Sequence, residues 1–210
     1  MTSLSGLFRT IGIGLVALAL SGCISLFPKA DPIQLYRFGG TGLSQAQASA
    51  STGPKINYVR SGGTFALASA SDGILTTTGT EVAYLSGARW AQPAPVLFEE
   101  ALVRAFSINA GPARLIIRGE PARAAYSLRL DVQQFEAVYD RPGESAPEVR
   151  IDVHLVVVRP SDRVVIYDQV LSIRVRARGS HVSDIIAAFD VAVAQALTAI
   201  IDVANTSAAA

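Results

Sequence analysis

Three long segments in the second half of the chain, Tyr126–Tyr139, Val149–Arg159 and Arg163–Val175, place apolar side chains at every second position. A fourth, His181–Ala204, repeats them every three to four residues. The first spacing is that of strands with a buried face, the second that of an amphipathic helix. Strands this long satisfy their backbone groups only by pairing along their length, so the half they occupy predicts consecutive paired strands closed by a helix. The helix, capped by Ser180 or Ser183, buries Val182, Ile186, Phe189, Val193, Leu197, Ile200 and Ala204.

Finer detail follows from phase. Leu128, Leu130 and Val132 are even-numbered, whereas Phe135 and Ala137 are odd. One extra residue near Gln133–Gln134, a β-bulge, restores their common facing. A three-residue loop, Pro160-Ser161-Asp162, joins the next two strands. It pairs Val157 with Val165, Leu155 with Tyr167, Ile151 with Leu171 and Val149 with Ile173. The opposite face then pairs Val158 with Val164, Val156 with Ile166, His154 with Asp168 and Glu148 with Arg174. A slip of one residue sets Leu155 against Asp168 and is disfavoured. Both faces are apolar near the turn, which predicts a sheet covered on both sides. The expected class is α/β, a mixed β-sheet flanked by helices on both faces.

The first half is broken into shorter pieces. Ile33–Phe38, Ile56–Arg60, Thr64–Ala70 and Arg114–Arg118 read as short strands, and Gly39–Pro54 as a long uncharged loop. Ile74–Leu85 is either one interrupted strand or a hairpin turning at Gly79. Pro93 and Pro95 open a helix running from Pro95 to Ile108, with Phe98, Ala101, Leu102, Ala105 and Phe106 on its buried side. Residues 33–204 thus form one domain, and Asn205–Ala210 are expected to fray.

Ahead of the domain, Met1–Thr10 is polar with one cation, Arg9, and Ile11–Leu20 is an unbroken apolar run of ten. A spanning helix needs about 20 such residues, so the run fits the core of a cleaved signal segment, residues 1–22. Leu20-Ser21-Gly22-Cys23 follows, small residues before a cysteine, which is the lipobox pattern of bacterial lipoproteins. Cleavage between Gly22 and Cys23 leaves Cys23 as an acylated first residue, with residues 23–32 as a tether. Cys23 is the only cysteine, so a disulfide within the chain is excluded.

Other chemistries find little support. Arg9 is the only charged residue before Cys23, so the rest of the chain carries one cation fewer than the total of 18, equal to its 17 anions. Such a domain has no field that steers it to nucleic acid. His154, Asp168 and Ser172 suggest a triad by type. Asp168 and Ser172 lie four positions apart on one strand, about 13 Å, and no nucleophile elbow is present. No catalytic residue is expected. His154 and His181 lie on different elements, so no metal site is expected, and no phosphate loop or other cofactor motif occurs. Two surface sets remain. Trp90, with Arg89 and Tyr84, has the composition of a partner interface, although a tryptophan before a helix also staples its entry into the core. Arg174, Arg176 and Arg178 share a strand face and suit lipid headgroups or an acidic partner, or else cross-strand carboxylates such as Glu148.

The order of features carries a resemblance. After the lipobox come Tyr36-Arg37-Phe38, Val82–Leu85, then Ala88-Arg89-Trp90 with Pro93 before a helix holding Leu97 and Leu102. Tyr126, Leu128 and Phe135 follow on a strand, and an alanine-rich helix ends the chain. This resembles the ABC-type transport auxiliary lipoprotein family, which includes paraquat-inducible protein C, across essentially the whole mature chain. The resemblance implies an α/β sandwich similar to anticodon-binding-like domains. It also implies a non-catalytic role beside an ATPase, a permease and a periplasmic MCE-domain protein that move lipids or other apolar solutes between two membranes. Ile24, standing where an aspartate would favour inner-membrane retention, implies anchoring in the outer membrane with the domain in the periplasm. A lipid-binding carrier and an outer-membrane assembly factor are the alternatives, and self-association stays open.

Overall fold

The computed structural model describes residues 32–39, 54–117, 119–141 and 146–208. The signal segment, Gly22, Cys23 and most of the tether and of the Gly39–Pro54 loop lie outside them. Eight strands form one mixed sheet: β1 (Gln34–Tyr36), β2 (Ile56–Arg60), β3 (Gly73–Thr78), β4 (Glu81–Trp90), β5 (Ala113–Leu115), β6 (Tyr126–Tyr139), β7 (Glu148–Arg159) and β8 (Val164–Arg176). Among the described residues two α-helices accompany them, α1 (Ala94–Ser107) and α2 (Val182–Ala208).

Strand β6 organises the sheet. Along one edge it pairs antiparallel with β7 over nearly its whole length, and β7 pairs antiparallel with β8. The other edge is shared. β2 runs parallel to Tyr126–Leu128 and carries β5; β3 runs parallel to Ala137–Tyr139 and carries β4 and β1. The expected bulge is present: Val132 faces Val153 and Gln134 faces Asp152, so Gln133 is the extra residue. It lets Leu128, Leu130, Phe135 and Ala137 enter the same core.

The β7–β8 hairpin keeps the predicted faces but not the predicted partners. Its loop has four residues, Pro160 to Arg163, with Arg163 at φ 61°. A second extra residue, Ile166, enters where Val158 faces Val165 and Val157 faces Tyr167. Each addition shifts the pairing by one, and two together restore the alternation. Ile151 therefore faces Ile173, Val149 faces Val175 and Glu148 faces Arg176.

Both described helices cover the same face, whereas helices on two faces were expected. Phe135 shows why: its ring lies 6.5 Å from Phe98 of α1 and 5.2 Å from Phe189 of α2. Phe38, Phe65 and Trp90 complete its surroundings at 5.4, 5.3 and 6.4 Å. Every odd residue from Val149 to Val157 is buried on this side, and every even residue from Glu148 to Val158 is only half-buried on the other. The valines near the turn reflect the strand preference of β-branched side chains rather than a second covered face.

Three local expectations also change. Thr64–Ala70 is not a strand: Phe65 alone bridges to Val132, and Leu67–Ser69 forms a 3-10 turn. Ile74–Leu85 is the hairpin alternative, and β4 runs on to Trp90. The C-terminal helix continues to Ala208 instead of fraying at Asn205. Asn205 Oδ1 accepts from the Ala113 amide at 3.0 Å, and its amide exchanges hydrogen bonds with Asn109 at 3.0 and 3.1 Å. At the helix start, the His181 carbonyl accepts from the amides of Asp184 and Ile185.

Candidate functional site

Among the described residues, the sheet face turned away from the two helices divides into two regions, one around Arg174 and Arg176 and one around Tyr84 and Arg89. The region over β6, β7 and β8 is ionic. Arg174 meets Asp152 at 2.8 Å; Arg176 meets Asp140 at 2.6 Å and Glu148 at 3.1 Å; Arg150 meets Asp140 at 2.8 Å and Glu148 at 2.9 Å. Strand alternation puts these side chains on one side; Arg176 stands directly opposite Glu148, whereas Arg174 stands opposite Arg150 and reaches Asp152 diagonally. The hydrogen bond from Arg176 is the chief reason that the Asp140 carboxyl lies well below the usual carboxylate range. Burial raises Asp152, but hydrogen bonds from Arg174 and Ser172 outweigh it and leave it lowered. Two of the three arginines proposed for headgroups are thus committed to carboxylates within the fold. Arg178 lies beyond the end of β8 and is exposed.

His154 continues the same row. Its Nε2 lies 2.6 Å from Asp168 Oδ1 and its Nδ1 3.9 Å from Asp131 Oδ2. The pairing with Asp168 is diagonal, because Val170 stands opposite His154 and Val156 opposite Asp168. Ser172 stands opposite Asp152, so no nucleophile–base pair forms around His154. Asp131 is held by the amide and hydroxyl of Thr64, at 2.9 and 2.8 Å, and by Arg129 at 2.9 Å. Burial raises its carboxyl, but these bonds outweigh burial and leave it lowered. Among the described residues no group of three or more His, Cys, Asp or Glu side chains has an arrangement suited to a metal ion.

The second region is the corner where β1 lies parallel to β4. Trp90 does not belong to its surface. It is 2% exposed, with Phe38 at 5.0 Å and Phe189 at 5.2 Å, both edge-on. Because β4 extends through Trp90, adjacent residues point to opposite sides, and Arg89 is left outside, paired with Asp72 at 3.0 Å. Tyr84 is exposed and lies over Gly73, where a Cβ would come within 2.5 Å of its ring. Ile33, Asp72, Gly73, Tyr84 and Arg89 line a cleft of about 520 Å³. The end of β1 is clamped to both helices: the Gly39 amide donates to Asp190 at 2.7 Å and Arg104 donates to the Gly39 carbonyl at 2.8 Å. Sequence reasoning missed Ile33, Leu35 and Leu67 as members of this corner, because lone apolar residues carry no local sign of exposure.

Comparison with known proteins places this architecture. Residues 67–201 match the family described as the ABC-type transport auxiliary lipoprotein component. No curated protein matches the chain. A crystal structure of a Xanthomonas campestris protein of family DUF330 is 22% identical with a TM-score of 0.64, and the match covers 85% of this chain and 95% of that one. Another solved structure, of an uncharacterized protein, is 12% identical with a TM-score of 0.59, covering 81% and 97%. These two share the fold, and the family match spans well over half the sequence. The chain belongs to the family of ABC-type transport auxiliary lipoprotein components.

Proposed function

We propose that this protein is the outer-membrane accessory lipoprotein of an MCE-type transport system that moves lipids or other apolar solutes between two membranes. Acyl groups on Cys23 hold it at the inner leaflet, and the folded domain recognises a periplasmic MCE-domain protein that works with a permease and an ATPase. The observation that carries this reading is the family match over residues 67–201, on a chain whose Leu20-Ser21-Gly22-Cys23 sequence supplies an acylation point. Two or three acyl chains anchor a domain durably where one does not. Ile24 after the cysteine supports the outer membrane as destination. A lipid carrier needs an apolar cavity between sheet and helices, and here that space is filled by Phe38, Trp90, Phe98, Phe135 and Phe189. A docking role is therefore favoured over a carrier role.

The test is affinity recovery of the native protein from detergent-solubilised envelopes, with Cys23→Ala as the comparison. The expected result is an acylated first residue by intact mass, an MCE-domain protein recovered with it, and loss of membrane association in the variant. Recovery without any MCE protein, together with unaltered detergent sensitivity on deletion of the gene, would overturn the reading.

A further inference from the structure

Large apolar side chains gather at the β1–β4 corner, where a water-facing surface would scatter them. Ile33 is 55% exposed, Leu35 66%, Leu67 91%, Val82 56% and Tyr84 55%. Leu35 stands beside Arg89 in the parallel pair. Tyr84 and Val82 stand opposite Leu75 and Thr77, two positions apart on β3, and so share a face. Ile33 and Tyr84 border the same cleft. The Tyr84 hydroxyl donates to the Ala68 carbonyl at 3.1 Å, which brings the turn carrying Leu67 to this corner. Arg89 is neutralised by Asp72. Ile33, Leu35 and Tyr84 thus lie about one cleft whose ion pair is mutually neutralised, with Val82 further along the same face and Leu67 on the adjoining turn.

Where the chain comes from indicates what covers it. Ile33 lies ten positions after Cys23, a span of at most about 35 Å when fully extended. The tether enters the domain at Ile33 itself, so this corner is the part of the domain tied most closely to the acyl groups. Tyrosine suits the boundary between water and lipid, since its ring is apolar and its hydroxyl is polar. Arg37, exposed just beyond β1, adds a cation suited to anionic headgroups.

We propose that the β1–β4 corner seats on the bilayer that holds the acyl chains, with Ile33, Leu35, Leu67 and Val82 entering the headgroup boundary and Tyr84 at its level. This rests on the reading of Cys23 as acylated. Acyl chains alone leave a domain free to turn about its tether; a second apolar contact fixes which side faces away from the membrane.

Cys23 is the only cysteine, so in the acylated protein an introduced cysteine is the sole free thiol. Full-length acylated Val82→Cys, and Val164→Cys on the distant strand β8 as control, are labelled with an environment-sensitive fluorophore. Each is reconstituted into vesicles of phosphatidylethanolamine and phosphatidylglycerol. The expected result is blue-shifted emission and protection from aqueous iodide at position 82, with position 164 unchanged from detergent-free solution. Protein that floats with the vesicles but reports water at position 82 overturns the seating while leaving the anchor intact. Protein that does not float, and whose mass lacks acyl groups, overturns the anchor and the seating together.

Discussion

The Tyr58 hydroxyl donates a 2.7 Å hydrogen bond to the Ala204 carbonyl, tying β2 to the last turns of α2 across 146 positions of sequence. Tyr58 is fully buried, and its ring stacks on Tyr126 at 5.2 Å. Burial first, and then the neighbouring Tyr126, push its hydroxyl far above the ordinary tyrosine range. Tyr58→Phe removes the bond and keeps the ring, so a loss of about 1 kcal/mol is expected. Urea denaturation measures it. In an alkaline absorbance titration, Tyr58 should ionise last, only as the fold is lost.

Phe135 is the common neighbour of both helices, and Phe135→Ala should cost about 3–5 kcal/mol, the range for truncating a buried aromatic. The single tryptophan reports on the same site, since its indole lies 6.4 Å from that ring. In the variant, Trp90 emission should shift red and quench more readily with acrylamide, while the wild-type signal stays blue.

Acid should weaken the domain through the ionic face. Asp140 and Asp152 have carboxyls lowered in the fold, so the stability they contribute is fully present above the unfolded value near 3.9. It is lost as pH falls through the folded values, where protons bind the unfolded chain first. The urea midpoint is expected to fall steeply below about pH 4. Asp140→Asn should give a lower midpoint at pH 7 and a shallower fall in acid, because one of the lowered groups is gone.

Gly63 cannot be replaced without moving backbone. It lies at φ 132°, and a Cβ there would stand 2.0 Å from the Leu130 carbonyl oxygen. Gly63→Ala is expected to destabilise by about 3 kcal/mol or more, with overpacking and backbone strain acting together. Gly62→Ala is the control for steric crowding: its φ of 85° carries the same kind of strain, but the space about it is open. Thermal melts of the pair separate the two causes.

The long strands were legible because their information is local. The change of phase between Val132 and Phe135 located the bulge, and parity alone assigned the two faces of β7 and β8. The partners within that hairpin were not legible, since a four-residue loop and the extra Ile166 each move the register by one without altering any apolar pattern. Thr64–Ala70 misled for a related reason: Phe65 is apolar and pairs, but the segment turns to let Ser69 donate to the Phe135 carbonyl at 2.8 Å. Which side of the sheet receives α1 and α2 depends on how the connections close, and no residue on β7 announces it. At the surface, Arg89 and Trp90 look like one group in the sequence but point to opposite sides, because β4 continues and alternates through both.

The shared edge of β6 makes the domain a spine with two flaps. One flap, β2 with β5, is hinged on Tyr126–Leu128; the other, β3 with β4 and β1, is hinged on Ala137–Tyr139. Neither flap pairs with the other along the fork, whereas β7 grips the spine from behind along its length. The sheet itself therefore couples neither flap to the other; what joins them is the shared core, where Phe38 and Trp90 of one meet Phe135 and Phe189 and Tyr58 of the other meets Phe106.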